Sequence, residues 1–369
     1  MLNDRRYWLG FNLVRGIGAV RLRSLIQHFG DAEAAWRGTP EQLRLAGLGE
    51  KTVARLVALR GGVDLDLLWQ RVESEGVKVL TSEDDAYPAR LKEIDQPPPV
   101  LFVRGEWLAD DEMAVAIVGT RRITAYGRQV TDQLSGYLAA NGVTIVSGLA
   151  RGVDEVAHSA ALAAGGRTAA VLGSGVDRVY PPENRSLAEK LMKSGALLSD
   201  YPMGTPPESG NFPPRNRIIA GLAKATIVVE AGETSGALIT AEFAAEQGRD
   251  VFAVPGSILA PQSKGTNKLI QNGALPLLSP EDVLQGLHLG SAGQQRAARR
   301  LLPADDIERQ VLEVLGSEPL HVDEIRNHTS LPIEKVSAAL VMMELKGMVR
   351  QVGAAQYVAA REVQSGYSA

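Results

Sequence analysis

Residues 143–158 read Val-Thr-Ile-Val-Ser-Gly-Leu-Ala-Arg-Gly-Val-Asp-Glu-Val-Ala-His. The apolar, β-branched stretch Val143–Val146 has the pattern of a buried strand. Ser147 and Gly148 end it, and an apolar-periodic helix follows from Val153 to Ala164. A strand that feeds a glycine-rich turn and then a helix presents backbone N–H groups and the positive helix end to an anion. Arg151, beside Gly152, adds a fixed charge at the same spot. An ordinary chain reversal would show the same glycines, so the neighbouring loops must decide.

Residues 114–285 alternate strand and helix. The candidate strands are Val115–Val118, Val143–Val146, Thr168–Leu172, Ala196–Ser199, Thr226–Val229 and Val251–Val254. Near-continuous apolar strands separated by helices predict an α/β domain, a mostly parallel sheet covered on both faces. Ligands of such sheets bind beyond the carboxyl ends of the strands. Here those ends are Gly119-Thr120-Arg121-Arg122, Ser147–Gly152, Gly173–Asp177 and Glu230–Gly236, the last with Ser235 and Gly236. Several such loops rich in Gly, Ser, Thr or Arg on one edge make an anion-binding crevice. Between two strands, Pro213 and Pro214 lead into a helix that begins near Arg215. Arg215, Asn216 and Arg217 either meet phosphate there or brace internal carboxylates such as Asp177 or Glu183.

Spacing excludes the common nucleotide chemistries. There is no G-x-x-x-x-G-K-[ST]. Gly173-Ser174-Gly175 opens like a dinucleotide fingerprint, but Arg178 stands where the third glycine is needed. No G-x-S-x-G elbow surrounds Ser147 or Ser235, and nothing pairs His158 with a nucleophile. The sequence has no cysteine, and its five histidines are scattered. No catalytic residue, metal or cofactor is therefore expected. The crevice is suited to holding phosphate, not to reacting with it.

Four stretches carry a family likeness. They are S-G-L-A-R-G-V-D (Ser147–Asp154), G-S-G-V-D-R-V-Y-P-P-E-N (Gly173–Asn184), F-P-P-R-N-R-I-I-A-G (Phe212–Gly221) and S-G-A-L-I-T-A-E (Ser235–Glu242). With Lys264-Gly265-Thr266-Asn267 they resemble, in order, the DNA-processing protein A (DprA/Smf) family. The resemblance implies a Rossmann-like, doubly wound core that binds single-stranded DNA without being an enzyme. It also implies a homodimer that loads the recombinase RecA onto incoming strands during natural transformation. By motif, the implied DNA contacts are Gly119, Thr120, Arg121, Arg122, Ser147, Gly148, Arg151, Gly152, Arg185, Arg215, Asn216 and Arg217, with Ser235 and Gly236 in the pocket. The rival is an enzyme: nucleoside-monophosphate phosphoribohydrolases have similar folds and carry P-G-G-x-G-T-x-x-E. Counted from Gly236, that spacing reaches Thr240, and Glu242 lies beyond it.

The flanks have their own character. A chain of 369 residues exceeds one ordinary core. Residues 1–60 read as all helix, with Gly16-Ile17-Gly18 before Ala19–His28 and Gly47-Leu48-Gly49 before Glu50–Arg60. Gly-apolar-Gly before a helix resembles the hairpin of helix-hairpin-helix modules, and Arg21, Arg23, Lys51 and Arg55 could supplement DNA contacts there. Residues 61–113 read as a connection carrying short strands at Val77–Leu80 and Val100–Val103. Residues 286–303 read as a linker. Three helices (Asp305–Leu315, His321–His328, Ile333–Lys346) and a hairpin turning at Gly353 then suggest a winged helix over 304–360. Its third helix offers Lys335 and Lys346 against Glu334 and Glu344, which fits a protein contact better than a groove reader. Ten Lys+Arg oppose five Asp+Glu over residues 1–60, and five oppose nine over 305–360. Such opposite ends suggest different partners. Composition, the lack of a long apolar run and the lack of cysteine fit a cytoplasmic protein away from membranes.

Overall fold

The six apolar runs pair into one sheet. In a computed structural model, residues 2–287, 306–315, 319–345, 348–353 and 355–359 are described. The chain divides into two units, residues 1–287 and 288–369. The first begins with helices α1 (Leu2–Asn12), α2 (Ala19–Phe29), α3 (Ala32–Arg37), α4 (Pro40–Leu45), α5 (Glu50–Arg60) and α6 (Leu65–Ser74). Side chains of Asp31, Thr39 and Asp64 cap α3, α4 and α6. Strand β1 (Lys78–Thr81), the short helix α7 (Ala89–Lys92) and strand β2 (Val100–Gly105) follow. The core then alternates β3 (Ala114–Val118), α8 (Ala125–Ala140), β4 (Thr144–Ser147), α9 (Val153–Ala163), β5 (Thr168–Val171), α10 (Arg185–Leu191), β6 (Gly195–Ser199) and α11 (Phe212–Leu222). It ends with β7 (Ala225–Val228), α12 (Gly236–Glu246), β8 (Asp250–Ala253), α13 (Lys264–Gln271), β9 (Leu275–Pro276) and α14 (Pro280–Gly286).

The nine strands run in the order β1-β2-β6-β5-β4-β3-β7-β8-β9. Strands β3 to β9 pair in parallel, as their buried apolar sequences require. The chain steps from β3 outward to β6, then returns to the other side of β3 as β7. The switch point therefore lies between β3 and β7, where the crevice of a doubly wound sheet forms.

Residues 61–113 do more than connect. Strands β1 and β2 extend the sheet, β2 pairing antiparallel with β6 and β1 with β2. Val77, Val79, Val100 and Phe102 bury themselves with Trp8, Phe11, Leu22 and Leu56 of the helical region, so helices and sheet share one core. Further attachments run to the carboxyl edge. Asn12 Nδ2 donates to Asp200 O at 3.1 Å, just beyond β6, and Arg71 pairs with Asp177, beyond β5, at 3.2 Å.

The second unit contains helices Asp306–Val314, Val322–Thr329 and Ile333–Leu345, with strands β10 (Leu320–His321), β11 (Val349–Gly353) and β12 (Gln356–Ala359). The strands pair in the order β10-β12-β11, completing a winged helix. The linker expected over 286–303 lies, from residue 288 on, outside the described residues.

Candidate nucleic-acid interface

Loops after β3 and β7 and the start of α11 enclose a cleft of about 890 Å³ at the switch point. It is lined by Gly119, Thr120, Arg121, Arg122, Arg215, Asn216, Ser235 and Gly236, all expected from sequence. The βαβ connections aim helix starts at this edge. Ser235 caps α12, its Oγ accepting from Ala237 N at 3.3 Å. Thr124 caps α8 and accepts from Gly127 N at 3.1 Å.

The 119–124 loop is fixed from below by a carboxylate. Buried Glu230 accepts from Thr124 N at 2.9 Å and Thr124 Oγ1 at 2.5 Å, and its carbonyl accepts from Thr120 N at 2.7 Å. Gly127 leaves room for it, since a Cβ there would collide with the Glu230 carboxylate. Arg121 and Arg122 are thereby held outward, exposed, and no carboxylate pairs with either among the described residues. The Arg121 guanidinium lies 5.4 Å from the Phe212 ring centroid.

Arg215 has a different position. It lines the cleft but is only 5% exposed. Its guanidinium donates to Gly148 O, Val171 O and Asn216 Oδ1. Asp154, buried beside it, accepts from Gly148 N at 3.1 Å and Ala150 N at 3.2 Å. Burial pushes the Asp154 carboxyl up, opposed by the Arg215 charge. Burial likewise brings Arg215 down to about 10, with Asp154 opposing, so Arg215 stays charged at neutral pH. Gly148 is squeezed between the two: a Cβ there would lie 2.8 Å from Arg215 and 2.9 Å from Asp154.

Other expected residues have structural work. Ser147 is fully buried and its hydroxyl donates to Ile117 O at 2.6 Å, so the side chain cannot meet a ligand. Gly152, at φ +82°, packs where a Cβ would strike Thr120 O. Arg217 does not reach the cleft; it donates to Asp200 at 2.9 Å, to Gln96 O at 3.2 Å and to Pro214 O at 3.1 Å. Arg151 is exposed but pairs with Glu183 at 2.5 Å, not with Asp154. Arg185 is exposed at the start of α10 and does not line the cleft.

Two aromatic wall residues escaped the sequence reading. Tyr180 and Phe212 line the cleft with ring centroids 5.9 Å apart. They are distant in sequence and form no stripe, although both fall inside the quoted motifs. Glu242, the displaced hydrolase carboxylate, is exposed and lines a separate depression with Glu233 and Lys264. Among the described residues no cluster of His, Asp and Glu could hold a metal ion, and no helix is long and apolar enough to cross a membrane.

A doubly wound α/β core with a cationic cleft at its switch point, in a chain that also carries a winged helix, defines the class. The family model described as DNA recombination-mediator protein A matches residues 78–288, and that of the DprA winged helix domain matches 295–354. The chain belongs to the DNA recombination-mediator protein A (DprA/Smf) family. It is 38% identical to protein Smf of Synechocystis over 96% of this chain and 98% of that one. It is 46% identical to DNA processing protein DprA of Bacillus subtilis over 58% of this chain and 72% of that one. The crystal structure of DprA from Streptococcus pneumoniae superimposes with a TM-score of 0.67 at 35% identity, covering 77% of this chain and 98% of that chain. A structure of DprA from Helicobacter pylori, concerned with its single-stranded DNA binding mode, has a TM-score of 0.52 at 31% identity over 57% of this chain and 95% of that one.

Proposed function

We propose that this protein binds single-stranded DNA in the switch-point cleft and acts as a recombination mediator without catalysing a reaction. The observation that carries the reading is the pair Arg121 and Arg122, exposed on a loop fixed by Glu230 and facing the start of α12. Phosphates would rest on these guanidinium groups, on Thr120 and on the backbone around Ser235 and Gly236. Gly148, Gly152 and Arg215 shape the floor, and Asn216 ties it to Gly236 O at 3.3 Å. Arg151, on the loop after β4, and Arg185, at the start of α10, are exposed and would extend the contact to a strand leaving the cleft. Phe212 and Tyr180 offer faces for a base, a smaller contribution than in proteins built as stacking platforms. The H. pylori relative's single-stranded DNA binding supports the ligand, and the family's description supports the mediator role.

The motif resemblance extends the proposal to a cytoplasmic homodimer that hands strands to RecA during natural transformation. The winged helix serves a protein partner or regulation in this account. The exposed face of its third helix carries Glu334, Ser337, Val341 and Glu344, with Lys335 as its described cation.

Competition tests the ligand. Unlabelled single strand should displace labelled single strand better than duplex of equal length, and equal potency would refute the reading. AMP incubated with the protein should stay intact; free adenine would return the hydrolase.

A further inference from the structure

The basic residues of the helical region fall into two groups. Arg5 pairs with Asp84, Arg6 with Asp66, Arg37 with Glu33, and Arg44 with Glu50. Arg60 donates to Gly38 O and Ala35 O. Arg15, Arg21, Arg23, Lys51 and Arg55 are exposed and have no carboxylate partner among the described residues. Two of this second group converge on Gly16. Arg21 donates to Gly16 O, and Arg55 donates to Arg15 O at 3.1 Å. A Cβ built on Gly16 would lie 3.3 Å from Arg21, 3.5 Å from the Thr52 hydroxyl and 3.9 Å from Arg55. Thr52 is 7% exposed, and its hydroxyl, turned to that spot, has no hydrogen-bond partner among the described residues.

The adjoining glycines add an independent observation. Gly16 and Gly47, at φ +105° and +93°, are required by the backbone. Gly18 and Gly49 are not. Their φ values are −104° and −69°, and a Cβ on either would meet nothing within 4 Å. Both stand at helix N-caps without a side-chain cap, where the fold would accept Ser, Thr or Asp. Neither a positive φ nor packing requires glycine there, and the bare loops admit an extended, negatively charged backbone at close range.

We infer that Arg15, Arg21, Lys51, Arg55 and the bare loops at Gly18 and Gly49 form a second phosphodiester-binding surface, for the single strand that leaves the cleft. The position agrees: Asn12, three residues before Arg15, is tied to Asp200 O at the carboxyl edge of the sheet. The inference rests on the reading of the chain as a DNA binder, and it assigns a surface outside the cleft.

The test compares a short oligothymidine that fits the cleft with one several times longer. Arg21→Ala with Arg55→Ala should weaken the long strand about tenfold or more and spare the short one. The salt slope for the long strand should fall by about 0.7 for each phosphate left without its arginine. Gly18→Ser with Gly49→Ser supplies a version that strains nothing and gives each helix a side-chain cap. It should keep or raise the melting temperature while weakening the long strand. A cleft variant, Arg121→Ala with Arg122→Ala, should weaken both lengths. If the cleft variant has no effect and the N-terminal variants do, the cleft reading fails and this surface stands. Unchanged long-strand affinity in both N-terminal variants overturns the inference, as does a loss seen only with duplex.

Discussion

Two neighbouring pairs of cations, Arg121–Arg122 and Arg215–Arg217, look alike in sequence and differ in the fold. The first pair stands on a loop at the switch point, exposed and without a carboxylate partner among the described residues. The second lies in the first turns of α11, and its donors are occupied by Gly148 O, Val171 O, Asn216, Gln96 O and Asp200. An arginine near a ligand site can thus serve the ligand or the frame. What separates the roles is burial together with the supply of carbonyls and carboxylates around each guanidinium. Arg151 lies between the two cases, exposed yet paired with Glu183.

Removing the frame should have the largest effect. Arg215→Ala leaves Asp154 buried without its counter-charge, which should cost about 3–5 kcal/mol of stability. Thermal or urea unfolding checks this. An Arg215→Ala protein that melts like wild type but loses DNA affinity would move Arg215 to the ligand side and dissolve the distinction.

The frame should also respond to acid. His158 is fully buried under the same edge, and its Nδ1 meets Thr168 Oγ1 at 2.6 Å. The threonine hydroxyl already donates to Ile145 O at 2.7 Å, so the histidine carries its proton on Nδ1. Burial, helped by the Arg215 charge, pulls its pKa from 6.5 down to about 3. The folded imidazole is therefore neutral while the unfolded one takes up a proton. Its stabilisation is complete above pH 6.5 and declines as pH falls towards 3, by about 1.4 kcal/mol per unit. His158→Gln should lack that part of the pH dependence. Identical slopes in both proteins would remove His158 from the frame.

Arg151 should show the smallest effect. Glu183→Gln frees its guanidinium and should tighten single-strand binding by no more than about fivefold, with an unchanged melting temperature. Weaker binding would mean that the ion pair, not the free arginine, shapes the strand's path.

Much of the fold is legible in sequence because parallel strands announce themselves locally. The runs Val115–Val118 and Val251–Val254 differ from the observed strands by one residue or less at each end, since an apolar run between glycine-rich loops leaves little choice. Strand pairing is less legible. Lys78–Thr81 and Val100–Gly105 join the sheet through an antiparallel contact with β6, which no local pattern encodes. The cleft's position follows from glycine and arginine at strand ends, but the division of its arginines does not. Burial of Arg215 depends on Val171 and Gly148 meeting across different strands. The aromatic wall likewise needs the fold to bring Tyr180 to Phe212.

The central claim is that Arg121 and Arg122 hold DNA phosphate. Its most direct test is the affinity of Arg121→Ala with Arg122→Ala for an oligothymidine across a salt series. With both guanidinium groups removed, the slope of log affinity against log salt should flatten by about 1.4 relative to wild type. The melting temperature should stay where it was, because neither side chain supports the frame. A slope equal to that of wild type would contradict the account.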